Sequence, residues 1–97
     1  MNLEIDGRRA LVTAASRGLG RAIACALAAE GSEVVAVARN AELLRALVDQ
    51  SAGLRGRITT RNCDLADASA IAALSDVLGQ TEILVLNTGL LEERMAR

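Results

Sequence analysis

The sequence predicts an α/β fold: a parallel four-stranded sheet in spatial order 3-2-1-4, with three helices on its faces. Three observations carry this. Apolar runs of strand length alternate with segments of helical periodicity in the order β-α-β-α-β-α-β, which favours a parallel sheet with right-handed crossovers. The run Val34-Val35-Ala36-Val37-Ala38 is apolar throughout, as a parallel strand covered on both faces requires. Finally, Arg9 to Ala24 reads Arg-Ala-Leu-Val-Thr-Ala-Ala-Ser-Arg-Gly-Leu-Gly-Arg-Ala-Ile-Ala, a strand that runs through a glycine-rich turn straight into a helix.

Each element has a local reason. Ala10–Thr13 is the first strand, and Gly18 and Gly20 let the following turn pack closely and approach a ligand. Leu19, Ile23 and Leu27 recur at spacing four beside Ala24 and Ala28, giving one apolar helical face that Gly31 ends in a left-handed cap. After the second strand, Asn40 caps a helix whose buried stripe is Leu43, Leu44, Leu47 and Val48, with Gly53 at the exit. Arg57 to Cys63 is β-rich but polar, which suits a strand near a sheet edge. Asp67 opens a third helix by capping it, Ile71, Leu74 and Leu78 face inward, and Gly79 closes it. Glu82 to Leu86 is a strongly apolar fourth strand, expected to be central. Leu90 to Arg97 forms a frayed helix or a tail. No repeat or linker divides the chain, so residues 1–97 are expected to be one domain.

Composition narrows the function. Hydrophobic residues make up 52% of 97, so the chain is globular. A net charge of −1, with arginines and acids interspersed, provides no basic stripe for nucleic acid. No apolar stretch approaches the ~20 residues of a membrane span, and the acidic start has no signal-peptide character, so a cytoplasmic protein is expected. Cys25 and Cys63 have no metal or disulfide spacing and read as small buried hydrophobes. No metal site is expected. Tyr, Lys and His are all absent and every one of the 11 basic residues is Arg, which removes most groups that move protons near neutral pH.

What remains points to binding. The first turn of the helix after the glycine turn offers N–H groups and the positive end of a dipole to a pyrophosphate. With strand order 3-2-1-4, the ligand crevice opens between the ends of strands 1 and 4. Strand 1 ends in the glycine turn and strand 4 ends in Asn87-Thr88-Gly89, so both sides carry turn chemistry. A dinucleotide is the expected ligand.

These residues resemble a family. Thr13-Ala14-Ala15-Ser16-Arg17-Gly18-Leu19-Gly20 resembles the Thr-Gly-x-x-x-Gly-x-Gly turn of short-chain dehydrogenases/reductases. Cys63-Asp64-Leu65 resembles the segment after strand 3 that touches adenine in that family, and Leu86-Asn87-Thr88-Gly89 resembles its Asn-Asn-Ala-Gly motif. The likeness runs from Ile5 to Gly89, looks most like 3-oxoacyl-reductase-type members, and covers the amino-terminal half of their three-layer Rossmann-type domain. It implies that backbone at Ala14, Ser16, Gly18, Leu19 and Gly20 lines the pyrophosphate and adjoining ribose. Asp64 would accept a hydrogen bond from the adenine amino group, with Leu65 packing nearby. Asn87 and Gly89 would shape the floor beneath the adenosine and the nicotinamide-side ribose.

Cofactor choice rests on the end of strand 2. NAD selectivity generally uses a carboxylate there. Here the stretch is Val37-Ala38-Arg39-Asn40, and Arg39 together with Arg17 suits a 2′-phosphate, so NADP is expected over NAD. The plainer readings are that both arginines are solvated, that Asp64 serves a turn or cap, and that Asn87-Thr88-Gly89 is an ordinary turn.

Three departures from the family pattern matter. Ala14 replaces the first glycine, which costs on the order of 1 kcal/mol if that position has positive φ and nothing otherwise. Leu86 replaces the first Asn. The family's catalytic Ser and Tyr-x-x-x-Lys pair lies beyond strand 4, and this chain has no Tyr or Lys. The resemblance therefore implies a truncated, catalytically incomplete NADP(H)-binding portion of an oxidoreductase, with no catalytic residue and a substrate that cannot be read. The competing expectation is a non-catalytic nucleotide-binding or interaction module that self-associates through the exposed edge of strand 4.

Overall fold

The computed structural model describes residues 6–16, 18–64, 69 and 72–86. Strands β1 (Arg9–Thr13), β2 (Glu33–Ala38), β3 (Arg57–Asn62) and β4 (Ile83–Val85) form one sheet in the order β3-β2-β1-β4. All three pairings are parallel, with Thr13 opposite Val37, Ala38 opposite Asn62 and Ala10 opposite Ile83. Helices α1 (Gly18–Ala29) and α2 (Ala41–Gln50) make the first two crossovers, and a short α3 (Ser75–Leu78) precedes β4.

Strand alternation divides the core in two. Ala10 and Val12 of β1, Val34, Ala36 and Ala38 of β2, and Ile58 of β3 face α1 and α2, meeting Ala24, Ala28, Leu44 and Leu47. Small alanines dominate this layer, so the helices lie close to the sheet. The opposite face is thinner: Leu11 and Val37 pack with Leu74, and Val35, Cys63 and Val77 adjoin them. Both cysteines are half-buried packing residues.

The termini of the elements follow the local chemistry. Gly31 takes φ 96° after α1 and Gly53 takes φ 92° after α2. The side chain of Asn40 accepts the Leu43 N–H at 3.0 Å, capping α2. Gly56 brings β3 against the α1–β2 turn, where its N–H donates to the Ala28 carbonyl at 2.7 Å.

Several expectations are corrected. Leu19 is 50% exposed, because it lies in the first turn of α1, beyond the sheet edge that buries Ala24 and Ala28. Val48 is 36% exposed, and the stripe of α2 narrows to Leu44 and Leu47 with Leu43 at its margin. The third helix is interrupted. Ala73 and Leu74 form a turn, and the Ala73 carbonyl accepts instead from the Arg61 guanidinium of β3 at 3.1 Å. Leu74 is buried in the core as expected, whereas Leu78, whose N–H donates to the Leu74 carbonyl at 2.9 Å, is 42% exposed. Asp67 and Ile71 lie outside the described residues. Strand β4 is an edge strand, not a central one, because among the described residues only β1 pairs with it.

Candidate functional site

The site is built at the carboxyl ends of the strands. From Thr13, the chain leaves β1 into a turn at Ala14, Ala15 and Ser16 and enters α1 at Gly18. Ala14 has φ 50°, alone in positive φ among the described non-glycine residues, and Gly18 has φ 61°. Two left-handed positions bend the chain back so that the helix starts beside the strand it came from. The Ala15 N–H donates to the Val37 carbonyl at 3.1 Å, tying the turn to β2. Thr13, Ala15 and Ser16 bury their side chains, whereas Gly18 and Leu19 are exposed at the mouth of α1 and Gly20 is buried one step inside.

The charges suit an anionic ligand. The first turn of α1 holds no acidic residue, so nothing on the helix neutralises the positive end of its dipole. Arg39 follows the last residue of β2, on the strand next to the turn, and is exposed. Among the described residues its guanidinium makes no hydrogen bond or ion pair, unlike those of Arg8, Arg9, Arg55 and Arg61. Asp64 is exposed two residues beyond β3.

Ala14, Ser16, Gly18, Leu19, Gly20, Arg39 and Asp64 therefore occupy the same, carboxyl end of the sheet, distributed after β1, β2 and β3. Arg17, Leu65, Asn87 and Gly89 lie outside the described residues. Ala14 is resolved in favour of the costly alternative, since its φ is positive. One contributor absent from the sequence reading is Asn62, the last residue of β3, whose side-chain amide donates to the Arg39 carbonyl at 2.7 Å. Its signal is a polar residue at the end of a strand whose register partner, Ala38, directly precedes Arg39.

A groove of about 190 Å³ lies at the other end of the sheet, where Arg9, Glu33 and Arg57 begin their strands beside Val35, Val77 and Thr81. It is remote from the glycine turn. Among the described residues no cluster of metal-binding side chains occurs, and no helix is long and apolar enough to cross a membrane.

A parallel sheet of order 3-2-1-4, whose first strand turns through left-handed residues into a helix, defines a Rossmann-type α/β protein. The chain belongs to the short chain dehydrogenase family of oxidoreductases, whose family model it matches over residues 8–97. It is 41% identical over 92 residues to D-threitol dehydrogenase of Mycolicibacterium smegmatis, covering 91% of this chain and 35% of that protein. It is 42% identical over 87 residues to L-xylulose reductase of Bos taurus, covering 90% and 34%. Among solved structures, a metagenomic short-chain oxidoreductase in complex with NADP superposes with a TM-score of 0.80 at 39% identity, covering 88% of this chain and 40% of that one. L-sorbose reductase of Gluconobacter frateurii, complexed with NADPH and L-sorbose, gives 0.82 at 31% identity, covering 92% and 36%. The chain thus spans about a third of the length of the curated relatives it matches.

Proposed function

We propose that residues 1–97 act as a single NADP(H)-binding half-domain of a short-chain dehydrogenase/reductase. The observation that carries this reading is Arg39, whose guanidinium has no partner among the described residues, where an NAD-selective site would hold a carboxylate, beside a left-handed turn that opens an acid-free helix terminus. Backbone at Ala14, Ser16, Gly18, Leu19 and Gly20 would receive the pyrophosphate, and Arg39, with Arg17, the 2′-phosphate. Asp64 would take the adenine amino group beside Leu65, and Asn87 and Gly89 the ribose floor. When bound, the cofactor supplies the hydride that the family exchanges with a carbonyl or alcohol. The NADP and NADPH complexes of the neighbouring structures support the choice of cofactor.

Proton transfer is a separate matter. The family's Tyr and Lys have no counterpart in this chain, which contains neither. The role proposed for these residues is accordingly to hold and select the cofactor. Calorimetric titration tests it: NADPH should bind more tightly than NADH. Arg39→Ala should weaken NADPH about 10- to 100-fold through the loss of charge-assisted hydrogen bonds, with NADH unchanged. Equal affinities for the two cofactors in the unaltered chain would refute the assignment.

A second reading draws on the edge of β4. Leu84 of β4 and Leu86, one residue past it, are 50% and 76% exposed, and among the described residues only β1 pairs with this apolar strand. Such an edge favours pairing with another strand, and self-association is the form proposed here.

A further inference from the structure

We infer that Asn62 is a positioning residue for cofactor discrimination, acting through the backbone of Arg39. The inference rests on the reading above, in which Arg39 meets the 2′-phosphate.

Ala38 and Asn62 are the last residues paired between β2 and β3, and the Cys63 N–H completes the ladder by donating to the Ala38 carbonyl at 2.9 Å. Arg39 lies one residue past this pairing, where no further ladder bond fixes the chain. The Nδ2 amide of Asn62 takes over that task. It donates to the Arg39 carbonyl at 2.7 Å and lies 3.5 Å from the Ala38 carbonyl. Both neighbours are acceptors, so only the NH₂ end of the amide can serve them, and its orientation follows from the chemistry.

The chain is also held on the far side of Arg39. Asn40 accepts the Leu43 N–H through its side chain at 3.0 Å and the Leu44 N–H through its carbonyl at 3.1 Å, which anchors it to α2. Arg39 is thus a single residue strung between a strand end and a helix cap. Its peptide plane is set by the Asn62 bond, and that plane sets the direction in which the side chain leaves the backbone. The guanidinium itself is held by nothing among the described residues, and an arginine carries a large rotamer entropy. Selectivity therefore depends on a fixed origin for a free side chain, supplied by a residue two strands away from the glycine turn.

A merely structural Asn62 would affect both cofactors alike, and a double-mutant cycle separates the cases. NADPH and NADH affinities are measured by calorimetry for the unaltered chain, Asn62→Leu, Arg39→Ala and the double variant. Asn62→Leu should weaken NADPH about three- to tenfold, the range a single hydrogen bond supports, and leave NADH unchanged. In the Arg39→Ala background the same substitution should change NADPH no further. Equal loss for both cofactors, or the same NADPH loss with and without Arg39, would overturn the inference alone. An Arg39→Ala chain that keeps its preference for NADPH would overturn the underlying functional reading as well. If Asn62→Leu loses its cooperative thermal transition, Asn62→Ala replaces it in the cycle under the same criteria.

Discussion

Replacing Ala14 with glycine should stabilise the protein, against the usual cost of glycine in an ordered segment. Ala14 holds φ 50°, where a Cβ crowds the following carbonyl at about 1–2 kcal/mol. Glycine removes that penalty but gives the unfolded chain more freedom, which offsets about 0.4–1 kcal/mol. The net gain is about 0.5–1 kcal/mol, which for a domain of this size raises the melting temperature by roughly 2–8 °C. Ala15→Gly provides the contrasting neighbour. Ala15 is fully buried and does not have positive φ, so glycine there loses a packed methyl and costs about 1–2 kcal/mol. Thermal unfolding followed by circular dichroism measures both. Because the left-handed turn is already present in the folded chain, Ala14→Gly should leave NADPH affinity within about threefold of the unaltered protein. Destabilisation comparable to that of Ala15→Gly, or a tenfold gain in affinity, would refute the claim that the strain is carried by the fold.

Three other outcomes follow from particular contacts. In Gly56→Ala the new Cβ would lie 2.0 Å from the Ser32 carbonyl oxygen and 2.9 Å from that of Ala28. Urea unfolding should show a loss of about 3 kcal/mol, against less than about 0.5 kcal/mol for Gly79→Ala, whose nearest atom is 3.6 Å away. Asn40→Ala removes the cap of α2 and should cost about 1 kcal/mol in the same measurement. Leu84→Lys puts a charge on the β4 edge, so if that edge self-associates, sedimentation should show a smaller species at high protein concentration than the unaltered chain gives.

Much of the fold was legible because periodicity and punctuation agree. The unbroken apolar run of β2 requires cover on both faces, and Gly31, Asn40 and Gly53 mark helix ends with side-chain and backbone chemistry that acts locally. Strand order was legible because parallel strands joined by crossovers allow few arrangements. The interrupted third helix was not, since Leu74 and Leu78 keep a helical spacing while the decisive donor, Arg61, comes from a different strand. Leu19 illustrates a second limit: periodicity assigns a residue to a face, but the position of the sheet edge decides whether that face is covered there. At the site, the turn from β1 into α1 and the place of Arg39 just after β2 could be read from residue type and order. The φ of Ala14 could not, because alanine ordinarily argues against a left-handed position. Nor could the role of Asn62, which exists only once β3 lies beside β2.

The connectivity of the sheet orders its assembly in time. Strands β1, β2 and β3 join neighbours in sequence as well as in space, so their pairing closes only short loops. Strand β4 must return from the far end of the chain to lie against β1. Loop closure over that separation costs more entropy than the other two pairings, and only a short strand repays it. β4 is therefore expected to dock last and to detach first, while β1 to β3 keep their helices. The turn after β1 and the end of β4 are the two banks of the proposed crevice, so one bank stands early and the other arrives late. A dinucleotide spanning both would act as a clasp on the final folding step, and its binding would slow the opening of the strand most ready to leave.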